Sequence, residues 1–262
     1  MQSKEPDQMA PSQVPAADAT LRVLSYLAAQ GGPLPASTIA NALHLPRSSM
    51  YQLLAVLAEH GFVVHLPEAR RYGLGVAAFE LSSGFSRQAP ITRLGGPLLA
   101  QLVDRLGESA HLAVLHGRDV VYLVEERASR RPHLITEVGV RLPSHLTASG
   151  RALLASLPHG QVRALYPDAS AFSDRTGSGP QSYAQLRKML DGVVTRGYAS
   201  EDEEISEGMA SVAVAVRDHV GWPAAGIAVT FPRNAIPAEQ WPQLAGEIAQ
   251  TAAELARRIR GR

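Results

Sequence analysis

The chain has 262 residues, 45% hydrophobic and 19% charged, a globular composition long enough for one large domain or two modest ones. It contains no cysteine, which excludes disulfide frameworks and thiolate metal sites and fits a reducing cytoplasm. The formal net charge is only +1, so nucleic-acid binding would have to rest on where cations are placed rather than on bulk charge.

Residues 1–16 are polar and proline-containing with no apolar core segment, and read as a disordered lead-in rather than a secretory signal. No apolar run reaches the roughly 18 residues that a membrane span needs. Leu21, Leu24, Leu27 and Ala28 recur at helical spacing, and Gly31-Gly32-Pro33 closes that helix. A short second helix from Pro35 or Ala36 carries Ile39, Ala40 and Leu43 on its apolar side. His44-Leu45-Pro46 then makes a tight connection to a third helix, where Met50, Leu53, Leu54 and Leu57 share one face and Gly61 is the stop. FVVHL and RRYGL flank Pro67-Glu68-Ala69 and predict a two-stranded hairpin. Residues 75–107 return to helical character with breaks at Gly84 and at Gly95-Gly96-Pro97, giving a linker helix at 76–90 and then a further helix.

From about Ala110 the texture changes. HLAVLH and VVYLVEE are strands around a Gly117-Arg118-Asp119 turn, and LITEV is a further candidate strand. GRALLASL is a short helix, and PDASAFSDRTGSGP is loop by composition. A helix near 181–195 precedes three more strands, GYASE, SVAVAV and AAGIAVTF. The last helix aligns Leu244, Ile248, Ala252, Leu255 and Ile259. Elements in this order predict an α+β domain with a largely antiparallel sheet, over residues 91–262.

The third helix has an unusual outer face. Its apolar stripe leaves Ser48, Tyr51, Gln52 and Ala55 outward, a short, hydrogen-bonding surface with no acid near its start. A short helix, a tight turn and such a reading helix form a helix-turn-helix, and the basic hairpin behind it supplies a wing, over residues 17–75. The candidate DNA contacts are Ser37, Arg47, Ser48, Ser49, Tyr51, Gln52, Arg70 and Arg71, with the arginines mainly on the backbone and Ser48, Ser49, Tyr51 and Gln52 at base edges or adjacent phosphates. The competing reading is that Arg47-Ser48-Ser49 merely caps a helix.

ADATLRVLSYLAAQGGPLPASTIANALHLPRSSMYQLLAVLAEHGFV resembles the DNA-binding domain of IclR-family bacterial transcription regulators. GVRLPSHLTASGRALLASL, RGYASEDEEISEGMASVAVAVRD and AAGIAVTFP resemble that family's effector-binding domain, so the likeness spans about residues 17–260. It implies a winged helix-turn-helix joined by a linker helix to a GAF-like α/β effector-binding domain. The implied partners are double-stranded operator DNA, a small organic-acid effector and further copies of the chain, as a homodimer or dimer of dimers. The implied role is a repressor of a catabolic operon. Relatives commonly carry a basic residue at position 52, and Gln52 points to a different operator preference, since Gln pairs bidentately with adenine.

The same resemblance assigns the backbone of Ala148 and Ser149 as effector donors, Glu201, Ser211 and Thr230 as polar contacts, and Leu134, Leu142 and Met209 as apolar walls. Residues alone show only small side chains leading into a helix start, where amide groups lack partners. Ala228 stands where some relatives have a hydroxyl and Glu201 where some have Asp, which favours a larger or aromatic acid over a two-carbon one. The acidic run Glu201-Asp202-Glu203-Glu204 reads as mostly solvated, with one or two members able to line a site. Arg131 and His133 read as surface residues, and the arginines from Arg257 onward as partners of the last helix's dipole. No nucleophile elbow, Walker loop, HExxH or dinucleotide fingerprint is present. With Ser149 expected to cap its helix, a His145–Ser149 hydrolase is disfavoured, and no cofactor or metal is expected. A C-terminal domain serving association alone is the remaining alternative.

Overall fold

The computed structural model describes residues 14–81, 90–129 and 136–260, and the chain divides into two compact units between Gln88 and Ala89. Gly84, expected as a weak point in the linker, lies outside the described residues, as do Arg131, His133 and Leu134. No helix among the described residues is long and apolar enough to cross a membrane.

The first unit comprises helices α1 (Pro15–Ala28), α2 (Ala36–Leu43) and α3 (Arg47–Glu59), strands β1 (Val63–Leu66) and β2 (Arg71–Leu74), and a helical segment α4 at residues 76–81. α1 begins within the stretch expected as lead-in. Pro15 sits in its first turn, where the missing amide has no intrahelical acceptor to lose. The expected stripe of α1 is shifted. Ala19, Val23 and Leu27 face the core, whereas Leu21 is 64% exposed because two residues of helix turn it away from that line. Ile39, Ala40, Met50, Leu54, Leu57 and Val63 complete the core. α2 ends with His44 in the left-handed region (φ 53°), and the Leu45 amide donates to Ala40 O at 2.9 Å, which closes the turn into α3. β1 and β2 pair antiparallel as expected. Leu34 exchanges backbone bonds with Tyr72 at 2.9 and 2.7 Å, so the hairpin is fastened to the segment before α2.

The second unit opens on α5 (Pro90–Leu106), which runs unbroken through the Gly95-Gly96-Pro97 break expected from sequence. Gly95 lies where a Cβ would stand 3.2 Å from Leu112 Cδ2, so the glycine allows close approach to the sheet. Pro97 costs α5 a hydrogen bond, offset by burial of Leu98, Leu99, Leu102 and Val103. That burial commits the apolar face of α5 to its own domain.

Strands β3 (Ser109–His116), β4 (Asp119–Glu126), β5 (Arg141–Pro143), β6 (Ala199–Asp202), β7 (Met209–Arg217) and β8 (Pro223–Pro232) form one sheet in the order β5-β4-β3-β8-β7-β6, with antiparallel pairing throughout. The LITEV expectation is corrected. Residues 136–138 are not strand, and β5 pairs with β4 instead, too short to show alternation in sequence. Helices α6 (Ala148–Leu154), α7 (His159–Leu165), α8 (Tyr183–Arg196) and α9 (Trp241–Arg260) complete the unit, and α7 was not foreseen.

Strand alternation decides which helices cover which face. Val212, Val216, Ile227, Val229 and Phe231 point to α5 and α9 and bury Leu244, Ile248, Ala252 and Leu255. The opposite faces of β7 and β8 carry Ala213, Ala215 and Ala228 against Ala148 and Ala152 of α6. Gly226 permits this contact, since a Cβ there would stand 3.1 Å from Ser149 O. A register shift between Leu112 and Ala113 turns β4, so that Val120 and Tyr122 pack with Leu142 and Leu153 while Val124 joins the α5–α9 side.

Candidate functional site

The first candidate surface is the start of α3. Pro46 is its N-cap and no side chain bonds the free amides, so the capping reading of Ser48 and Ser49 does not hold. Arg47, Ser48, Tyr51, Gln52 and Ala55 are exposed, and Ser49 is half-buried on their flank. Ser37 is exposed in the first turn of α2. Arg70 adopts φ 50° and belongs to the hairpin turn, which runs one residue past the expected Pro67-Glu68-Ala69. Arg71 is exposed at the start of β2 and reaches back to Pro33 O at 3.4 Å, so part of its donor capacity braces the wing.

The second candidate site is a cavity of about 310 Å³ between the start of α6, the sheet and the β6–β7 connection. Its start is positioned from below. The Ser144 amide and hydroxyl both bond Arg118 O, at 2.8 and 2.6 Å, and the Ser144 hydroxyl also meets Tyr166 Oη at 2.8 Å. Thr147 then caps α6 by accepting from the Gly150 amide at 3.0 Å. This corrects the expected capping by Ser149. The Ser149 hydroxyl is buried in the cavity wall without a hydrogen-bond partner among the described residues. An unpaired buried hydroxyl costs about 1–3 kcal/mol, and a ligand that supplies the partner recovers it.

Ala148, Ser149, Glu201, Met209, Ser211 and Thr230 all line this cavity. Leu142 does not. It is buried among Ala113, Val120, Tyr122 and Leu153, because β5 directs it into the sheet's own packing. Leu134 lies outside the described residues. Tyr122, Thr136, Thr147, Ile205, Ser206, Glu207 and Ala228 also line the cavity. Of these only Thr147 and Ala228 carried a signal in the sequence, through the small residues around α6 and the strand position of β8. The wall is rich in hydroxyls, from Tyr122, Thr136, Thr147, Ser149, Ser206, Ser211 and Thr230.

Polar geometry around the cavity is largely settled in advance. Ser211 Oγ and Thr230 Oγ1 are 2.9 Å apart across β7 and β8. Thr136 Oγ1 lies 2.7 Å from His111 Nε2, and burial, reinforced by Arg127, pushes the His111 pKa down to about 3, so the ring is neutral. Glu201 is 3% exposed and accepts from the Ile205 amide at 3.1 Å. Burial pushes its pKa up to about 7, and the neighbouring Glu204 adds to the shift.

The acidic run is half solvated rather than mostly so. Glu204 is buried and paired with Arg151 at 2.7 Å, Asp202 pairs with Arg233, and Glu203 is exposed and accepts from the Gly208 amide at 2.7 Å. Arg151 itself, at 2% exposure, was missed in the sequence. Its Nε donates to His145 O and its Nη1 to Ser200 O, both at 2.8 Å. His145 is engaged elsewhere than at Ser149. Its Nε2 lies 2.9 Å from Ser173 O, and its ring packs edge-on to Tyr166 and Phe172. At the end of α9, Arg257 and Arg258 pair with Glu254 at 2.6 Å each, beside the helix dipole they were expected to complement.

A helix-turn-helix unit followed by a domain with a ligand-sized cavity defines a ligand-responsive DNA-binding regulator. The family described as "IclR helix-turn-helix domain" matches residues 16–67, and "Bacterial transcriptional regulator IclR C-terminal" matches residues 85–257. The chain belongs to the IclR family of bacterial transcriptional regulators, which are not enzymes. It is 33% identical over 230 residues to the probable transcriptional regulator SauR of Cupriavidus necator, covering 86% of this chain and 89% of SauR. It is 26% identical over 243 residues to the acetate operon repressor of Salmonella typhimurium, covering 90% and 86%. An IclR homologue from Microbacterium hydrocarbonoxydans, solved in complex with 4-hydroxybenzoate, shares the fold at TM-score 0.77 and 20% identity, covering 93% of this chain and 98% of that one.

Proposed function

We propose that this chain represses a catabolic operon and that a small organic acid, with room for one aromatic ring, alters its hold on operator DNA. The observation that carries the effector reading is the cavity of about 310 Å³ with an unpartnered Ser149 hydroxyl in its wall. Ala148 and Ser149, at the first positions of α6, offer backbone amides with no intrahelical acceptor. Glu201, Ser211 and Thr230 supply further polar contacts, and Met209, Ile205 and Ala228 the apolar ones. A relative bound to 4-hydroxybenzoate supports a ligand of this size.

On DNA, Ser48, Ser49, Tyr51 and Gln52 of α3 meet base edges, and Ser37, Arg47, Arg70 and Arg71 hold the backbone. One reading helix covers too few base pairs to be selective, so the chain works as a dimer or dimer of dimers, with reading helices about 34–36 Å apart. Val76, Phe79 and Leu81, exposed on α4, are the candidate contact between copies. The site of action is the cytoplasm.

A gel shift with the gene's own upstream DNA, with and without glyoxylate, pyruvate, benzoate and 4-hydroxybenzoate, tests this reading. A specific shift altered by one acid supports it, a shift that no acid alters removes the effector role, and no shift at low salt removes the DNA role. Arg70→Ala and Arg71→Ala should each weaken binding to all sequences and lower the salt slope by about 0.9. Gln52→Ala should instead relax preference at one base pair. A preference unchanged in Gln52→Ala but moved by an arginine change would reverse these roles.

A further inference from the structure

An organic acid entering this cavity meets carboxylates before it meets any cation. Glu201 and Glu207 both line the wall, and among the described residues no Lys, Arg or His does. The guanidinium that pairs with Glu204 is committed. Arg151 gives its Nη2 to Glu204, its Nη1 to Ser200 O and its Nε to His145 O. Glu204 is in turn bound by Arg151 and by the Asp202 amide. Glu201, buried on β6, has the Ile205 amide on one oxygen and the Ser211 hydroxyl as a further donor. Across the cavity Tyr122 faces it from β4, and His111, behind Thr136, is neutral.

Two carboxylates in one buried site do not both stay ionised. One takes a proton, which then serves as the hydrogen-bond donor between them. Glu204 has Arg151 and Glu207 is exposed to solvent, so the residue able to do this is Glu201, buried and with no ion pair of its own among the described residues. We propose that Glu201 takes up a proton when an organic acid binds, so that the effector site recognises a carboxylate together with H⁺. This rests on the organic-acid reading of the cavity.

The direction of the pH dependence follows. Burial already raises the Glu201 pKa to about 7, and a bound anion raises it further. Below pH 7 the proton is already in place. Above it, each binding event must draw a proton from solvent, so affinity falls by about tenfold per pH unit. Ligand carboxylic acids are themselves fully ionised there, so the proton goes to the protein.

The experiment is titration calorimetry on the full-length protein with glyoxylate, pyruvate, benzoate and 4-hydroxybenzoate, at pH 6, 7 and 8, in phosphate and in Tris. The two buffers differ in ionisation enthalpy, so the difference in heat counts protons. The expected result for the wild-type protein at pH 8 is uptake of about 0.9 proton per ligand, with affinity about tenfold below that at pH 6. Glu201→Gln, which holds the shape of the neutral acid at every pH, should lose the uptake and bind more tightly than wild type at pH 8. Binding without proton uptake, or uptake that persists in Glu201→Gln, overturns the proposal and leaves the organic-acid reading standing. No heat with any of the acids at any pH overturns the organic-acid reading itself.

Discussion

Arg151→Met is expected to destabilise the C-terminal domain by about 3–5 kcal/mol, read as a drop in the denaturant midpoint without a change in slope. The guanidinium is 2% exposed and spends its three nitrogens on His145 O, Ser200 O and Glu204. Methionine fills much of the volume but leaves a buried carboxylate without its counter-charge and two carbonyls without donors. The cost therefore comes from what remains behind rather than from the value of the ion pair itself. Glu204→Gln in the same background should recover part of the loss by removing the stranded charge, and a double-mutant cycle would measure how much. Since the pair ties α6 to the β6–β7 connection, the double variant should also bind effector more weakly, through the cavity wall at Ile205 and Ser206. Stability unchanged in Arg151→Met would mean that the network carries no net load.

Gly150→Ala is expected to cost about 3 kcal/mol, the upper end of the range for overpacking, although the change is one methyl group. A Cβ at this position would overlap the carbonyl and Cα of Ser144. The loop cannot retreat freely, because Ser144 is held by the backbone of Arg118 and by Tyr166. The start of α6 must move instead. It has little room, since Ser149 already sits 3.1 Å from where a Gly226 Cβ would be. Thermal unfolding and effector titration of the variant check this. A stable variant with wild-type effector affinity would show that the loop at Ser144 gives way.

Both predictions concern α6, which the sequence shows as a short helix led by small residues. The order of elements was legible because it depends on local patterns. Period-3.6 stripes show α2, α3 and α9, and alternation shows β3, β4, β7 and β8. Elements too short to repeat, β5 and α7, left no such signal. α1 was found, but with its face rotated, because Leu21 and Leu24 suggest a stripe that packing assigns to Ala19, Val23 and Leu27. Gly95-Gly96-Pro97 spells a break by local rules, and α5 continues through it because its neighbours are buried against the sheet.

By itself, then, the sequence determined the two-unit plan, the helix-turn-helix with its polar outer face, and through family likeness six of the thirteen residues that line the cavity. Tertiary structure decided what those residues face. Leu142 went into the sheet interior and left the cavity. Thr147 took the capping role and freed the Ser149 hydroxyl. Two of four consecutive acids were buried, Glu204 on Arg151 and Glu201 in the cavity wall. A charge's partner, burial and proton depend on segments dozens of residues apart in the chain, such as Arg151 and Glu204. No local pattern encodes those distances, and they exist only once the sheet and α6 have closed on each other.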